Sequence, residues 1–347
     1  SGNLDIYPIF LDTVNGDYRL SNFSPCIGSG LDTSIVPIND LDGNLRPNPA
    51  GSNPDMGAYE NSLATPDILG CMDPTSLTYN PNANISDPTL CCYVGGCIDP
   101  AATNYDPNAC LNTISCNFLV NNITQDTGYS VIQTAIDSSI NGDTIIVSSG
   151  TYTENINFNG KGVVLASDFL LTSDTSFISS TIIDGNNNGR VVTFIDNSYT
   201  PQLVGFTIQN GFANQPPPNH NGGGIYCLTS SPILSDLKVI NNSAGSSFPG
   251  IQIQSNSNPQ INNCYIENNN GISGALAFQN DCNSTINNTV IVNNNGQLSG
   301  LAIYTTSNIN LVNSIIVNNS NSNTAVAGGV YCSASTLNIV NSIIRNN

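Results

Sequence analysis

Two consecutive stretches, GGGIYCLTSSPILSDLKVINN at residues 222–242 and FPGIQIQSNSNPQINNCYIENN at residues 248–269, share one plan. Each opens with glycine and a short apolar run, and each closes with a pair of asparagines. The plan recurs three more times by residue 347, with an interval of 24 to 29 residues between its glycines. These glycines are Gly224, Gly250, Gly274, Gly300 and Gly329. Self-similarity at such a period is typical of solenoid proteins.

The alternation of apolar and polar residues within each unit predicts short strands and no sustained helix. Leucine-rich repeats have units of similar length, but they need a fixed leucine frame that is missing here. We therefore predict an all-β fold, a parallel β-helix in which each unit forms one coil. Strands of successive coils then stack about 4.8 Å apart.

Stacking of the coils predicts inward-facing columns of side chains. Alignment on the glycines gives one column of Ile225, Ile251, Ala275, Leu301 and Val330. It gives a second column of Cys227, Ile253, Ala277, Ile303 and Cys332, and a third of Val239, Ile266, Ile291, Ile316 and Ile344. The asparagine pairs, from Asn241–Asn242 to Asn346–Asn347, follow the third column. Asparagine tolerates left-handed backbone angles and bonds to neighbouring coils, so we predict structural ladders at this turn.

A short amphipathic segment precedes the coils. Its apolar face consists of Val131, Ile132, Ala135, Ile136 and Ile140. We predict a helix over residues 129–140 that caps the first coil, because an uncovered coil exposes unpaired strand edges. The β-helix then extends over residues 118–347.

Two phrases resemble those of a known family. Residues 132–161 contain IQTAI, GDTIIV, GTYTENINF and GK, and residues 7–60 run from YPIFLDTVNGDYRL through SPCIGSG to DMGAYE. They resemble the opening and closing phrases of pectate-lyase-like right-handed parallel β-helix repeat proteins of bacterial surfaces. Tyr7 and Cys26 depart slightly from the closing phrase. The resemblance implies a secreted protein in which residues 1–62 form the closing segment of a β-helix.

In that family the closing phrase follows the last coil, whereas here it comes first. Joining residue 347 to residue 1 restores the family order, which implies head-to-tail continuation between copies or between modules of one giant chain. A truncated piece of a longer protein is the third interpretation. Under continuation, the expected assembly residues are Ser1, Asn3, Ile6, Ile344, Asn346 and Asn347.

Residues 63–117 form a cysteine-rich linker with two copies of one motif, GCMDPTSLTYNPNANISDPTLCCYV and GCIDPAATNYDPNACLNTISCNF. They resemble short modules of large secreted bacterial proteins, and such small modules need covalent staples. We expect disulfides from Cys71 to Cys91 or Cys92, and from Cys97 to Cys116, with Cys110 bonded to the spare member of the 91/92 pair. Zinc is the competing interpretation, although the cluster lacks a C-x-x-C pair.

Calcium is the candidate cofactor, since hard cations prefer carboxylate and carbonyl oxygens. The DLDGN loop offers Asp40, Asp42 and Asn44, and the linker offers Asp73, Asp99 and Asp106, together with Asn80, Asn82 and Asn108. The alternative in the linker is a set of Asx turns, in which these side chains bond to their own backbone.

Charge excludes several classes of function. Six Lys and Arg against twenty-four Asp and Glu give a net charge of −18, which repels nucleic acid and anionic membranes. No apolar run is long enough for membrane insertion. The cysteine cluster indicates an oxidising, extracellular setting.

A catalytic site is not apparent in the sequence. The single histidine, His220, is the one candidate general base, and Asp184 and Asp196 are expected to be exposed carboxylates at strand ends. Cys227, Cys264, Cys282 and Cys332 are expected to be small buried apolar side chains. We predict a non-catalytic structural module of a surface fibre, adhesin or stalk, with other copies and surface glycans as partners. The alternative is a β-helix that binds or degrades polysaccharide.

Overall fold

The computed structural model describes residues 5–33, 35–100, 102–114, 116–196, 198–213, 222–245, 248–296, 298, 300–321 and 328–347. The chain divides into two compact units. The first contains Ser1–Pro100 and Tyr105–Ser115, and the second contains Ala101–Asn104 and Cys116–Asn347. Within the described residues, no helix is long and apolar enough to cross a membrane.

The first unit holds the closing-phrase segment, the first cysteine-rich copy and most of the second copy. Its strands are β1 (Phe10–Asp12), β2 (Asp17–Leu20), β3 (Leu69–Gly70), β4 (Ile85–Ser86), β5 (Gly95–Gly96) and β6 (Leu111–Asn112), with a 3₁₀ turn at Pro88–Leu90. β1 and β2 form an antiparallel hairpin. β3 pairs in parallel with β4, and β5 with β6, so the two cysteine-rich copies repeat one arrangement.

The second unit begins with β7 (Val120–Asn122), β8 (Thr127–Tyr129) and helix α1 (Ile132–Ser138). The helix buries Ile132, Ala135 and Ile136 completely. The prediction is wrong for two members of the apolar face, since Val131 is 40% and Ile140 66% exposed.

The predicted helix of residues 129–140 is longer than the observed helix Ile132–Ser138, and contacts at each end explain the difference. The carboxylate of Glu154 accepts the N–H groups of Ile132 and Gln133, both at 2.9 Å, and so caps the helix at that point. At the other end the hydroxyl of Ser139 donates to the carbonyl of Ala135, and the backbone turns away before Ile140.

The coils follow. The strands are β9 (Thr144–Val147), β10 (Gly150–Thr153), β11 (Ile156–Asn157), β12 (Val164–Ser167), β13 (Thr181–Asp184), β14 (Val192–Ile195), β15 (Gln202–Val204), β16 (Thr207–Gln209), β17 (Phe212–Ala213), β18 (Ile225–Leu228), β19 (Ile233–Ser235), β20 (Lys238–Ile240), β21 (Ser243–Ala244), β22 (Ile251–Gln254), β23 (Gln260–Asn262), β24 (Tyr265–Glu267), β25 (Asn270–Gly271), β26 (Leu276–Gln279), β27 (Asn283–Asn287), β28 (Val290–Val292), β29 (Asn295–Gly296), β30 (Leu301–Tyr304), β31 (Asn308–Val312), β32 (Ile315–Val317), β33 (Ser320–Asn321), β34 (Val330–Ser333), β35 (Thr336–Val340) and β36 (Ile343–Arg345). Helices α2 (Phe169–Thr172) and α3 (Ser176–Ser180) lie between β12 and β13.

The coils form three long parallel sheets and a short fourth one with the order β17-β21-β25-β29-β33. The first sheet has the order β11-β14-β18-β22-β26-β30-β34, and the second runs from β9 through β12, β15, β19, β23, β27 and β31 to β35. The third has the order β10-β13-β16-β20-β24-β28-β32-β36. β7 and β8 extend the second sheet at the capped end. Strands that neighbour each other in a sheet come from successive coils, so the predicted parallel solenoid is confirmed.

The core fills the space between the sheets, and its first two columns correct the glycine alignment by one residue. Ile251 pairs with Leu276 and Ile253 with Phe278, where we predicted Ala275 and Ala277. Ala275 instead occupies the place that a glycine takes in other coils, since its carbonyl accepts the N–H of Ile251. This shift of one residue places Leu276 and Phe278 in the interior, where the glycine alignment had placed two alanines.

The recurring glycines reflect close approach between coils. A Cβ on Gly300 would lie 2.0 Å from the carbonyl oxygen of Gly329, and one on Gly250 would lie 2.4 Å from that of Ala275. Backbone atoms cannot yield at such distances, so a side chain is excluded at both positions.

The third predicted column is confirmed by the register of the third sheet. Val239, Ile266, Ile291 and Ile316 are fully buried, and Ile344 is 37% exposed.

The asparagine ladder is also present. The first residue of each pair has a left-handed backbone, with a φ of 54° at Asn241 and 57° at Asn318. The second residue of each pair from Asn242 to Asn319 is buried. The side-chain amides bond in series, from Asn242 to Asn269 at 3.1 Å, Asn269 to Asn294 at 3.0 Å, Asn294 to Asn319 at 2.9 Å and Asn319 to Asn347 at 2.8 Å.

Candidate functional site

A groove lies on the outer face of the first sheet, near its β11 end. Asn155, Asn157, Arg190, Thr193 and Ile195 line it, and its volume is about 320 Å³. The period-two alternation of β11 and β14 sends Asn157 and Thr193 outward, while Ile156 and Val192 enter the core.

Arg190 is the cationic group of this groove. Its guanidinium carbon lies 3.9 Å from the ring centroid of Tyr226, which pairs with Thr193 and lies on β18. Burial lowers the pKa of Arg190, while burial raises the pKa of Tyr226. The stack holds a cation against an aromatic face, an arrangement that stabilises both partners by about 1 kcal/mol.

Glutamine side chains continue the same face along the solenoid. The hydroxyl of Tyr226 donates to Oε1 of Gln254 at 3.0 Å, and Nε2 of Gln252 donates to Oε1 of Gln279 at 3.1 Å. Gln252 is fully buried, and its Oε1 has no hydrogen-bond partner in the part of the chain that the structure describes. A buried carbonyl oxygen of this kind is an available acceptor.

An aromatic cluster closes the far end of the face. The ring of Tyr304 lies 6.0 Å from that of Phe248 and 5.2 Å from that of Tyr331. Phe248 packs over Ala277 and Ala302, and burial raises the pKa of Tyr304 to about 12. The face therefore combines one cation, amides and aromatic rings, which suits hydrogen bonding and stacking of a polar ligand.

The two aspartates that the sequence placed at strand ends differ in exposure. Asp196 is exposed, as predicted, but Asp184 is half-buried and was wrongly expected to be exposed. Asp184 accepts hydrogen bonds from the backbone of Asn186 and from the amides of Gln209 and Asn210. Burial opposes its ionisation, yet these bonds outweigh burial and lower its pKa. His220 lies outside the described residues.

All six cysteines of the linker are in disulfides. Cys71 bonds to Cys91 and Cys92 to Cys110, while Cys97 and Cys116 are also disulfide-bonded. The first bond staples the first copy. The second joins the two copies to each other, because Cys92 belongs to the first motif and Cys110 to the second.

The candidate calcium ligands of the linker are engaged in Asx turns. Asp73 accepts the N–H of Thr75 at 2.9 Å, Asn80 that of Asn82 at 3.0 Å, and Asp106 that of Asn108 at 2.9 Å. This is the alternative that the Asp-Pro and Asn-Pro sequences offered. Asp99 is half-buried at the place in the second copy that Asp73 holds in the first.

The DLDGN loop is held by its own first carboxylate. Asp40 accepts N–H groups from the backbone of Asn44 at 2.7 Å and of Glu60 at 2.9 Å, and the side-chain amide of Asn44 at 3.0 Å. Asp42 is exposed and lies 4.0 Å from the guanidinium of Arg19. Among the described residues, no three acidic, histidine or cysteine side chains converge as a metal site would require.

The expected assembly residues lie at exposed positions where they are described. Ile6 is 51% exposed and Ile344 37%, and Asn346 and Asn347 are exposed as well. Asn347 nevertheless completes the buried ladder by accepting the N–H of Asn319 at 3.0 Å. Ser1 and Asn3 lie outside the described residues.

The scattered cysteines have a role that sequence reasoning missed. Cys227, Cys264 and Cys282 are buried as predicted, whereas Cys332 is exposed. The thiols of Cys264 and Cys282 donate to backbone carbonyls of Asn262 and Gln279, as hydroxyls do in other coils. Burial raises the pKa of Cys264 to about 12, so the thiol stays neutral.

Two further ladders run through these positions. In each, a backbone N–H donates to a side-chain oxygen of the following coil. One contains the bonds Ser230 to Ser257, Cys282 to Ser307 and Ser307 to Ser335, and the other Cys264 to Thr289, Thr289 to Ser314 and Ser314 to Ser342. The signal in the sequence is a small hydroxyl or thiol residue at a fixed place, in all five units for the first ladder and in the last four units for the second.

These features define the class of protein: a right-handed parallel β-helix, with one buried polar ladder at each of three corners. The family model described as the right handed beta helix region matches residues 191–347. Three chains of solved structures match as well, and two are the pectin methylesterase from Aspergillus niger, in a penultimately deglycosylated and a deglycosylated form. Each is 16% identical over 62% of this chain and 82% of that chain, with TM-scores of 0.40 and 0.33. No curated protein matches the chain.

Proposed function

We propose that the protein is a non-catalytic structural module of an extracellular fibre, adhesin or stalk. The observation that supports this proposal is the continuity of the three ladders through the described coils. Each ladder joins a backbone N–H of one coil to a buried side chain of the next, and between the ladders three sheets pair strand to strand. Such a solenoid is a stiff rod, because all the hydrogen bonds between two neighbouring coils must break before the coils separate.

The disulfides support the extracellular setting. Three disulfides in a region with little apolar core are characteristic of secreted proteins, because cytosolic thiols are kept reduced. The bond between Cys92 and Cys110 ties the two linker copies into one cross-linked element. A linker of this kind transmits tension along the covalent chain without relying on a hydrophobic core.

Axial continuation is part of the proposal. The coil formed by β34, β35 and β36 leaves Ile339 50% and Ile344 37% exposed, although their partners in the preceding coil, Leu311 and Ile316, are fully buried. A further layer of β-structure would bury these side chains and pair the strand edges, whether it belongs to a longer chain or to another copy. The closing-phrase segment has exposed apolar groups of its own, Ile38 and Leu41 among them, at 76% and 71%.

A second candidate function is supported by the groove on the first sheet. Arg190 stacked on Tyr226, beside the amides of Asn155 and Asn157, suits a polar chain such as a polysaccharide. Under this alternative the protein binds or cleaves glycans on its outer face.

Incubation with acidic and neutral polysaccharides separates the two candidates. The assay follows new reducing ends, unsaturated products and released methanol, and the structural proposal expects none above the blank. Turnover that Arg190→Gln abolishes, and that Gln260→Glu on the exposed face of the second sheet leaves intact, would establish the enzyme in its place.

A further inference from the structure

The outer face of the third sheet is apolar where a solvated face would be polar. One outward column consists of Lys238, Tyr265, Val290, Ile315 and Ile343, and the other of Ile240, Glu267, Val292, Val317 and Arg345. Tyr265 is 36%, Ile315 38% and Ile343 53% exposed. The seven apolar residues of the two columns are called the lateral face: Ile240, Tyr265, Val290, Val292, Ile315, Val317 and Ile343. Val292 is the most buried of them, at 8% exposed. Contiguous exposed apolar side chains rimmed by polar groups mark interaction surfaces.

Polar rows border the lateral face on both sides. Asn263, Asn288, Asn313 and Asn341 lie at the corner before the strands, and Asn268, Asn293, Asn318 and Asn346 lie at the corner after them. All eight are exposed. An apolar centre inside a rim of hydrogen-bonding side chains is the usual anatomy of a protein interface.

Two charges of opposite sign stand within the second outward column. Glu267 is on β24 and Arg345 on β36, three strands away in the same sheet. Glu267 accepts a hydrogen bond from the amide of Asn293 at 3.1 Å, which fixes its carboxylate at the border between the lateral face and the asparagine row. Arg345 is exposed.

This distribution of charge matches a second copy of the same face. A two-fold axis parallel to the strands, passing between β28 and β32, places β24 of one copy over β36 of the other. Positions along the strand are unchanged by this rotation, so Glu267 faces Arg345 and Tyr265 faces Ile343, twice each by symmetry. Val290 then faces Ile315, and Val292 faces Val317. An isologous contact requires self-complementarity of this kind.

We propose that two solenoids pair side by side, with antiparallel axes, through the lateral face. This inference rests on the proposed structural function, because it makes the lateral face the surface through which rods bundle. The face spans five strands about 4.8 Å apart, of which the four from β24 to β36 face the second copy, so it buries on the order of 300 Å² per copy, well below the roughly 800 Å² of a standard interface. A single pair is therefore weak, and repetition along a fibre multiplies it through avidity.

Sedimentation equilibrium of the full chain up to about 1 mM tests the pairing, since weak complexes are populated at that concentration. We expect a monomer–dimer equilibrium. Ile315→Glu should weaken it at least about tenfold, because it places a charge at the apolar centre. Far-UV circular dichroism confirms that each variant retains the solenoid.

Charge exchange tests the geometry itself. Glu267→Arg and Arg345→Glu should each weaken pairing about tenfold by opposing like charges, and the double variant should restore it to within about threefold. Gln260→Glu, on the outer face of the second sheet, is the matched control and should leave pairing unchanged. A strict monomer overturns the proposal, as does a double variant as weak as its parents. Polysaccharide turnover would refute the structural function without altering this result.

Discussion

At the scale of single residues, the paired asparagines divide two tasks between them. The first of each pair takes the left-handed backbone that turns the corner, as Asn293 does with a φ of 56°. The second enters the interior and bonds to the coils on both sides, as Asn294 does. Asparagine suits both tasks because it tolerates positive φ and carries a donor and an acceptor.

Asn294→Ala should destabilise the solenoid by roughly 2 to 4 kcal/mol, since it leaves the buried N–H of Asn269 without its acceptor and the carbonyl of Ile266 without its donor. The free energy of unfolding in urea, followed by circular dichroism, measures this. Asn295→Ala, at an exposed position one residue on, should change it by less than about 1 kcal/mol. Equal effects of the two substitutions would show that the ladder does not stabilise the coil stack.

Asp184 gives the solenoid an acid-sensitive contact. Its folded-state pKa is lowered below the ordinary 3.8, so the unfolded chain takes up the proton first as the pH falls. The wild type should therefore exceed Asp184→Asn in stability by roughly 1 to 3 kcal/mol at neutral pH. This advantage should persist above the ordinary pKa and disappear as the pH falls through the folded-state pKa. Urea denaturation of both proteins over a pH series measures the difference, and a difference independent of pH would contradict the assignment.

At the scale of elements, the corners and the cap define where strands begin and end. The repeat phrase alone predicted the parallel coils, the third core column and the asparagine ladder, because these depend on a fixed offset within each unit. The register of the coil at Gly274 could not be predicted by counting glycines. In that coil Ala275, rather than Gly274, occupies the position that a glycine holds in the other coils. Burial of Leu276 and Phe278 decides this alignment.

The ends of the cap helix and the features of the groove depend on contacts that are distant in sequence. Glu154 caps a helix that begins more than twenty residues earlier, and no local pattern reports it. Arg190 meets Tyr226 only because two coils bring them together. Asp184 was expected to be exposed for the same reason, since its amide partners come from the next strand of the sheet.

Reduction should unfold the cysteine-rich copies and leave the coils intact, because the described disulfides all lie between residues 71 and 116. Loss of a native disulfide from a small module costs about 2 to 5 kcal/mol. Limited proteolysis with mass spectrometry should place the new cleavage sites within the linker, residues 63–117. The double variant Cys92→Ser and Cys110→Ser should uncouple the two copies. The double variant Cys71→Ser and Cys91→Ser, which removes the disulfide within the first copy, is the matched control. Cleavage that begins in the coils would contradict this division.

At the scale of the whole molecule, the ladders, the sheets and the exposed apolar surfaces support one mechanical account. The sheets stack the coils along a single axis, the coil of β34 to β36 leaves apolar side chains exposed, and the lateral face exposes a second set beside it. The net charge of −18 keeps such rods soluble until specific contacts form.

Electron microscopy of the assembly that the native protein forms tests this account most directly. It predicts elongated particles in which solenoids run along the particle axis, with coils spaced about 4.8 Å apart. Compact, separate particles the size of one chain, with both ends of the solenoid covered by their own residues, would contradict it.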